Sequence, residues 1–176
     1  MEISTERLRL IPLTLNQLRR YIPAPEDLEQ ELGFEVSRDI VTDRLRRAIA
    51  MKLTKMERVD PSEHNWYTYW LIEVKDGQYG AGLAGFKGLP DEEGKTEIGY
   101  GIDPAYRNTG YMTEAVKGLI GWAFQDPGCR TVMAPDTKKV NVASNRVLEK
   151  AGMRVYNETE DAFDWKVDKV VRESVA

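Results

Sequence analysis

Apolar and polar positions alternate through residues 3–11, with Ile3, Leu8 and Leu10 apolar and Thr5, Arg7 and Arg9 polar. A period of two predicts a first strand there. Thr14 then stands as the N-cap of a short helix through Tyr21, stopped by Pro23 and Pro25. Glu26 to Leu32 reads as a further helical turn or two. From Ser37 onward, Val41, Leu45, Ile49, Leu53 and Met56 recur every three or four positions, predicting a longer helix that ends near Asp60-Pro61-Ser62. The pattern then changes. Trp66 to Val74 is aromatic and β-branched, and Asp76-Gly77 turns it back into a glycine-rich strand, Tyr79 to Phe86. A strand at Thr96–Ile102 is broken by Asp103-Pro104, and Met112 to Gln125 is a strongly periodic helix. A short strand at Thr131–Ala134 precedes a helix from Ser144 to Ala151, with Gly152 as its C-cap. Met153–Asn157 and Phe163–Val167 read as the last strands. The order β-α-α-β-β-β-α-β-α-β-β predicts a mixed α/β arrangement around one sheet.

Composition narrows the chemistry. The 176 residues suit a single domain spanning 1–176 with a genuine core. The chain carries 25 basic and 29 acidic side chains, a net charge of −4, balanced in sign over the first 60 residues. No basic arm is present, which speaks against a grip on nucleic acid or on an anionic membrane. No apolar run approaches ~18 residues, and the amino terminus lacks the apolar core of a signal peptide. A cytoplasmic location is the expectation. One cysteine, Cys129, and one histidine, His64, rule out an intramolecular disulfide, multi-cysteine metal sites and most histidine-based triads. No metal is expected. Carboxylates, hydroxyls, backbone or a cofactor must supply the chemistry.

The most informative segment runs from Glu97-Ile98-Gly99-Tyr100 through Arg107-Asn108-Thr109-Gly110-Tyr111-Met112-Thr113-Glu114-Ala115. A strand ends, a short loop carries a glycine, and a helix opens. Amides at a helix start are unpaired and carry the positive end of its dipole, so they can hold an anion. Gly110 permits a positive φ, and Arg107 adds a charge. The loop is neither a Walker P-loop nor a Rossmann fingerprint, and alone it reads equally well as a structural strand–helix turn. The second segment is Asn141-Val142-Ala143-Ser144-Asn145-Arg146-Val147-Leu148-Glu149-Lys150-Ala151-Gly152-Met153. Together the two resemble the GCN5-related N-acetyltransferase (GNAT) superfamily, and within it the ribosomal-protein N-acetyltransferase branch. That branch shows Glu-Ile-Gly-Tyr, then Arg/Gln-x-x-Gly-x-Gly/Ala, then Asn-x-x-Ser-x-Arg-Val-Leu-Glu-Lys-x-Gly-Phe. The resemblance covers residues 66–167 and the order of elements from residue 3.

The resemblance implies a GNAT fold: a mixed, mostly antiparallel sheet of six or seven strands, flanked by about four helices and splayed at two central parallel strands. It implies acetyl-CoA as donor, a primary amine as acceptor (a protein N-terminus or a small molecule), and a homodimer. The pyrophosphate would lie on the amides of Arg107, Asn108, Thr109, Gly110, Tyr111 and Met112, with the Thr113 hydroxyl adding a contact. The strand carrying Tyr100 and Ile102 would pair with the pantetheine arm, and Asn141 would bond the pantetheine or acetyl region. Glu97 would be the base, with Gly99 and Gly101 on its face leaving room for an acceptor. Ser144 would donate toward the departing thiolate; its plain reading is the N-cap of its helix. The chain departs from the family at Met112, where Gly or Ala is usual and a long side chain would crowd the helix start. It also carries Pro135 at a strand end and an extra residue in Asp136–Val140. Many superfamily members also carry an acid tyrosine in the second motif, and here none stands before Tyr156. Met112, Pro135 and the missing tyrosine support an alternative: a catalytically impaired acyl-CoA-binding or regulatory module of the same fold.

Overall fold

The computed structural model describes residues 1–172. Among them are strands β1 (Ile3–Ser4), β2 (Leu8–Pro12), β3 (Glu35–Val36), β4 (Trp70–Val74), β5 (Tyr79–Phe86), β6 (Lys95–Ile102), β7 (Thr131–Lys138), β8 (Arg154–Glu158) and β9 (Ala162–Asp168). The α-helices are α1 (Leu15–Arg20), α2 (Pro25–Leu32), α3 (Asp43–Met56), α4 (His64–Tyr67), α5 (Tyr111–Ala123) and α6 (Val142–Lys150). The strands form one sheet in the order β1-β2-β4-β5-β6-β7-β9-β8, with β3 beside β5. Neighbours are antiparallel except for β3–β5 and β6–β7.

The parallel pair positions the site. β6 and β7 are in register only from Lys95↔Thr131 to Glu97↔Met133, although β6 runs on to Ile102 and β7 to Lys138. Beyond Glu97 the two strands part, as the resemblance implied.

Two apolar layers hold the halves together. Leu71 and Leu83 pack with Leu18, Leu28, Ile49 and Met56 of α1–α3 on one face. Ile72, Phe86 and Ile98 pack with Val116, Leu119 and Leu148 of α5 and α6 on the other. There Trp66, Trp70, Phe86 and Trp122 cluster with ring centroids 4.6 to 5.9 Å apart. Such aromatic contacts add to the stabilisation from buried area.

Several elements differ from the pattern-based expectation. The first strand is two, because Thr5 and Arg7 turn aside to bond Glu114. The long helix starts with Thr42 as N-cap, not at Ser37; the Ser37 hydroxyl donates instead to Asp103 Oδ2 (2.7 Å). Trp66 and Tyr67 lie in α4, and their strand starts only at Trp70. The β7 strand is twice its expected length, and Pro135–Asp136 forms the bulge that absorbs the extra residue. The sheet is also larger than expected, since β1 and β3 are two-residue strands the pattern hides. Among the described residues no helix is long and apolar enough to cross a membrane.

Candidate active site

Backbone alternation along β6 defines the first part of the site. Lys87 N–H donates to the Glu97 carbonyl (2.9 Å) and Asp103 N–H to that of Ala81 (2.8 Å). Odd-numbered residues of β6 therefore bond β5, and Tyr100 and Ile102 turn their amides and carbonyls the other way, where β7 has peeled off. Side chains alternate too. Tyr100 and Ile102 pack toward α5 and α6, whereas Gly101, opposite Leu83, faces the α1–α3 side together with Gly99 and Glu97. A Cβ at Gly99 or Gly101 would meet nothing within 4 Å. The bare strip expected beside Glu97 is present.

The loop into α5 forms the second part. Asp103 caps a 3-10 turn at Pro104–Tyr106, and Thr109 Oγ1 donates to the Tyr106 carbonyl (2.7 Å). Burial raises the Asp103 carboxyl, but hydrogen bonds from Ser37, Ala105 N–H and Tyr79 and the nearby Arg107 charge bring it below the usual range. Asn108 (φ 60°) and Gly110 (φ 82°) are left-handed, and Gly110 is the N-cap of α5 with no side chain to close it. The consequence is a run of donors: among the described residues, none of the N–H groups of Asn108 through Thr113 makes a hydrogen bond. The amide of Arg107, expected in this set, instead donates weakly to Pro104 (3.4 Å). Met112 does not crowd the helix start; its side chain is buried among Ala115, Val116 and Leu119, leaving only its amide outward.

Arg7, unnoticed in the sequence, clamps this loop from the β1–β2 turn. Its Nη1 donates to the Thr109 carbonyl (2.9 Å), its Nε to Glu114 Oε2 (2.7 Å), and its guanidinium sits 4.5 Å from the Tyr111 ring centroid. Glu114 also accepts from Thr5 Oγ1 (2.6 Å) and Arg7 N–H (2.8 Å). Burial acts to raise its carboxyl, but these partners outweigh it and hold it below the usual range.

The expected catalytic pair lies on either side of β6. Glu97 is about a third exposed and forms an ion pair with Lys87. Ser144 is in the first turn of α6 but is not its cap: Asn141 Oδ1 accepts from Ser144 N–H (3.1 Å). The Ser144 hydroxyl lies 2.9 Å from the Tyr100 hydroxyl, which reaches across from β6. Burial pushes the Tyr100 phenol up to about 12, so it is a donor at neutral pH. A tyrosine absent from the second motif thus arrives from the first; its even register beside Ile98 and Ile102 was the available signal. Thr113 is partly buried at the helix start, and Arg107 is exposed on the loop. His64 is committed to the Met56 carbonyl (2.8 Å), and Cys129 is buried with its thiol pushed up to about 11.

Comparison with known proteins identifies the family and the fold. The family described as "Acetyltransferase (GNAT) domain" matches residues 7–154. "Uncharacterized N-acetyltransferase YjdG" of Bacillus subtilis (strain 168) is 27% identical over 163 residues, 93% of this chain and 95% of that protein. Among solved structures, ribosomal-protein-S5-alanine acetyltransferase from Vibrio fischeri superposes with a TM-score of 0.65 at 17% identity, covering 96% of both chains. RimL, a ribosomal L7/L12 alpha-N-protein acetyltransferase solved in complex with coenzyme A, superposes at 0.62 with 15% identity, over 94% of this chain and 95% of its own. The chain belongs to the GNAT acetyltransferase family, acyltransferases that use acetyl-CoA.

Proposed function

We propose that residues 1–176 act as one N-acetyltransferase domain, which modifies the primary amine of a polypeptide amino terminus by direct attack in a ternary complex. The observation that carries the acetyl-CoA part of this reading is the run of free amides from Asn108 to Thr113, beside the unpaired edge of β6; the fold shared with ribosomal-protein acetyltransferases supports the polypeptide acceptor. Such a run fits a pyrophosphate, and an open strand edge fits the amides of a pantetheine arm, as strand addition does. The Thr113 hydroxyl and Arg107 stand at the same helix start, and Asn141 flanks the parted strands. Acetyl-CoA, when bound, supplies the activated acyl group.

The remaining steps belong to side chains. A protein α-amine titrates near ~8, so a proton must leave before or during attack. Glu97 accepts it: an acceptor ammonium can take the place of the exposed Lys87 ammonium, then pass its proton to the carboxylate. The Tyr100 N–H points into the parted strands and stabilises charge developing on the reacting carbonyl oxygen. The Tyr100 and Ser144 hydroxyls, already bonded to each other, donate toward the leaving sulfur. Base and donor stand on opposite faces of one strand, so the amine and the thiolate need not share a path.

The test is thiol release from acetyl-CoA over a panel of free-amine peptides and small amines. Turnover with peptides, reduced at least tenfold in Glu97→Gln, is expected. Coenzyme A binding by calorimetry with no turnover on any amine contradicts the proposal and favours a binding module.

A further inference from the structure

The bare face of β6 has a wall, and the wall is basic. Two contacts fix where α3 runs. Ser37, five residues before the Thr42 cap, bonds Asp103 just past the end of β6. At the other end, Lys55 Nζ donates to the carbonyl of Lys87 (3.1 Å), whose side chain pairs with Glu97 at the start of β6. The helix α3 is therefore antiparallel to β6. One flank of it faces α1, through the Arg19–Glu57 pair (2.5 Å). Its core stripe is Ile49, Lys52 and Met56. The opposite flank, Arg44, Ala48, Met51 and Lys55 with Arg47 at its solvent edge, follows helical spacing and lies on the β6 side of the helix, where Lys55 reaches the residue paired with Glu97.

This flank is unusual in what it leaves unpaired. Arg44, Arg47 and Lys55 are exposed, and among the described residues none forms an ion pair with a carboxylate. Met51 between them is 61% exposed. Burial pushes the Tyr69 phenol up, and the Arg44 charge acts against it. From Arg44 to Lys55 the flank spans roughly 16 Å at ~1.5 Å per residue, the length of about five extended residues.

We propose that this cleft selects acidic polypeptide amino termini, with the amine at Glu97 and the acidic side chains that follow it on Lys55, Arg47 and Arg44. The assignment rests on the acceptor reading above and names the class of acceptor. Single exposed ion pairs contribute little, but three acting on one segment give about a tenfold preference. The preference is screened by salt, because the charges face solvent.

Two peptides with a free amine and a fluorophore at the far end test it, one with acidic residues in the first five positions and one with lysines there. Fluorescence anisotropy in the presence of coenzyme A is expected to show the acidic peptide bound about tenfold more tightly, the gap closing as salt rises from ~0.05 to ~0.5 M. Arg44→Glu with Arg47→Glu inverts the preference, and Arg44→Lys with Arg47→Lys retains it. Should the reversed variant fail to bind coenzyme A, the salt dependence of the unaltered protein decides. Equal or tighter binding of the lysine peptide, or a preference that the charge reversal leaves in place, overturns the proposal. Selective binding without acetyl transfer supports the cleft assignment and contradicts the catalytic reading alone.

Discussion

The starts of α1 and α5 are built in opposite ways. At α1 the Thr14 hydroxyl accepts from Gln17 N–H (3.2 Å), and the Gln17 side chain accepts from Thr14 N–H (2.9 Å). Each serves the other, and the helix closes on itself. At α5 the cap is Gly110, and six successive amides meet no acceptor. A cap is worth about 1 kcal/mol, which a six-residue surface helix needs more than one that buries Met112, Ala115, Val116, Leu119, Ile120 and Ala123. The longer helix is held by its apolar face and by Arg7 and Glu114, so its amides stay available. The amides left unbonded at α5, where packing can bear the loss, are the ones proposed to hold the pyrophosphate.

That contrast breaks most severely at Gly110. A β-branched residue is strained at φ 82°, and a Cβ there would lie 3.2 Å from Arg7 Nη2. Gly110→Val is expected to weaken coenzyme A binding about 100-fold by calorimetry, whereas Thr14→Ala leaves it unchanged.

The next largest effect belongs to a buried group that is satisfied. Lys52 donates to the Phe86 and Tyr67 carbonyls (2.6 and 3.0 Å), with burial first, then the charges of Lys55 and Lys87, pushing it down to about 7. The unfolded chain, titrating near ~10.5, binds the extra proton between these values, so stability rises with pH across that interval. Chemical denaturation at pH 7 and pH 9 is expected to show a gain on the order of 2 kcal/mol from this group, absent in Lys52→Met. A flat profile in the unaltered protein argues against a neutral buried amine.

Smaller still are the donor hydroxyls. Tyr100→Phe and Ser144→Ala are each expected to lower kcat about tenfold with little change in KM for acetyl-CoA, and to couple in a double-mutant cycle. Additive losses would mean that the 2.9 Å contact does not act as a unit. Thr14→Ala closes the series, costing about 1 kcal/mol of stability and no activity.

Much of this was legible in local pattern. The Thr14 cap, the strand Tyr79–Phe86 and the loop around Gly110 all follow from neighbouring residues. What escaped depends on partners far away in the chain. Ser37 looked like a helix start because its true partner, Asp103, is 66 positions on. Arg7 reads as one polar position of a strand until Glu114, 107 residues later, is beside it. Tyr100 and Ser144 meet across 44 residues, and the alternation of β6 alone could not say what lay opposite. Met112 was judged by its size and not by its direction; the helix turns it inward, where it fills the core.

Backbone amide chemical shifts during a coenzyme A titration test the central claim most directly. The signals of Asn108 through Thr113 are expected to move together and saturate with the binding isotherm, while those of Leu15 to Gln17 at the start of α1 stay still. Coenzyme A bound at full occupancy with the Asn108–Thr113 amides unmoved would contradict it.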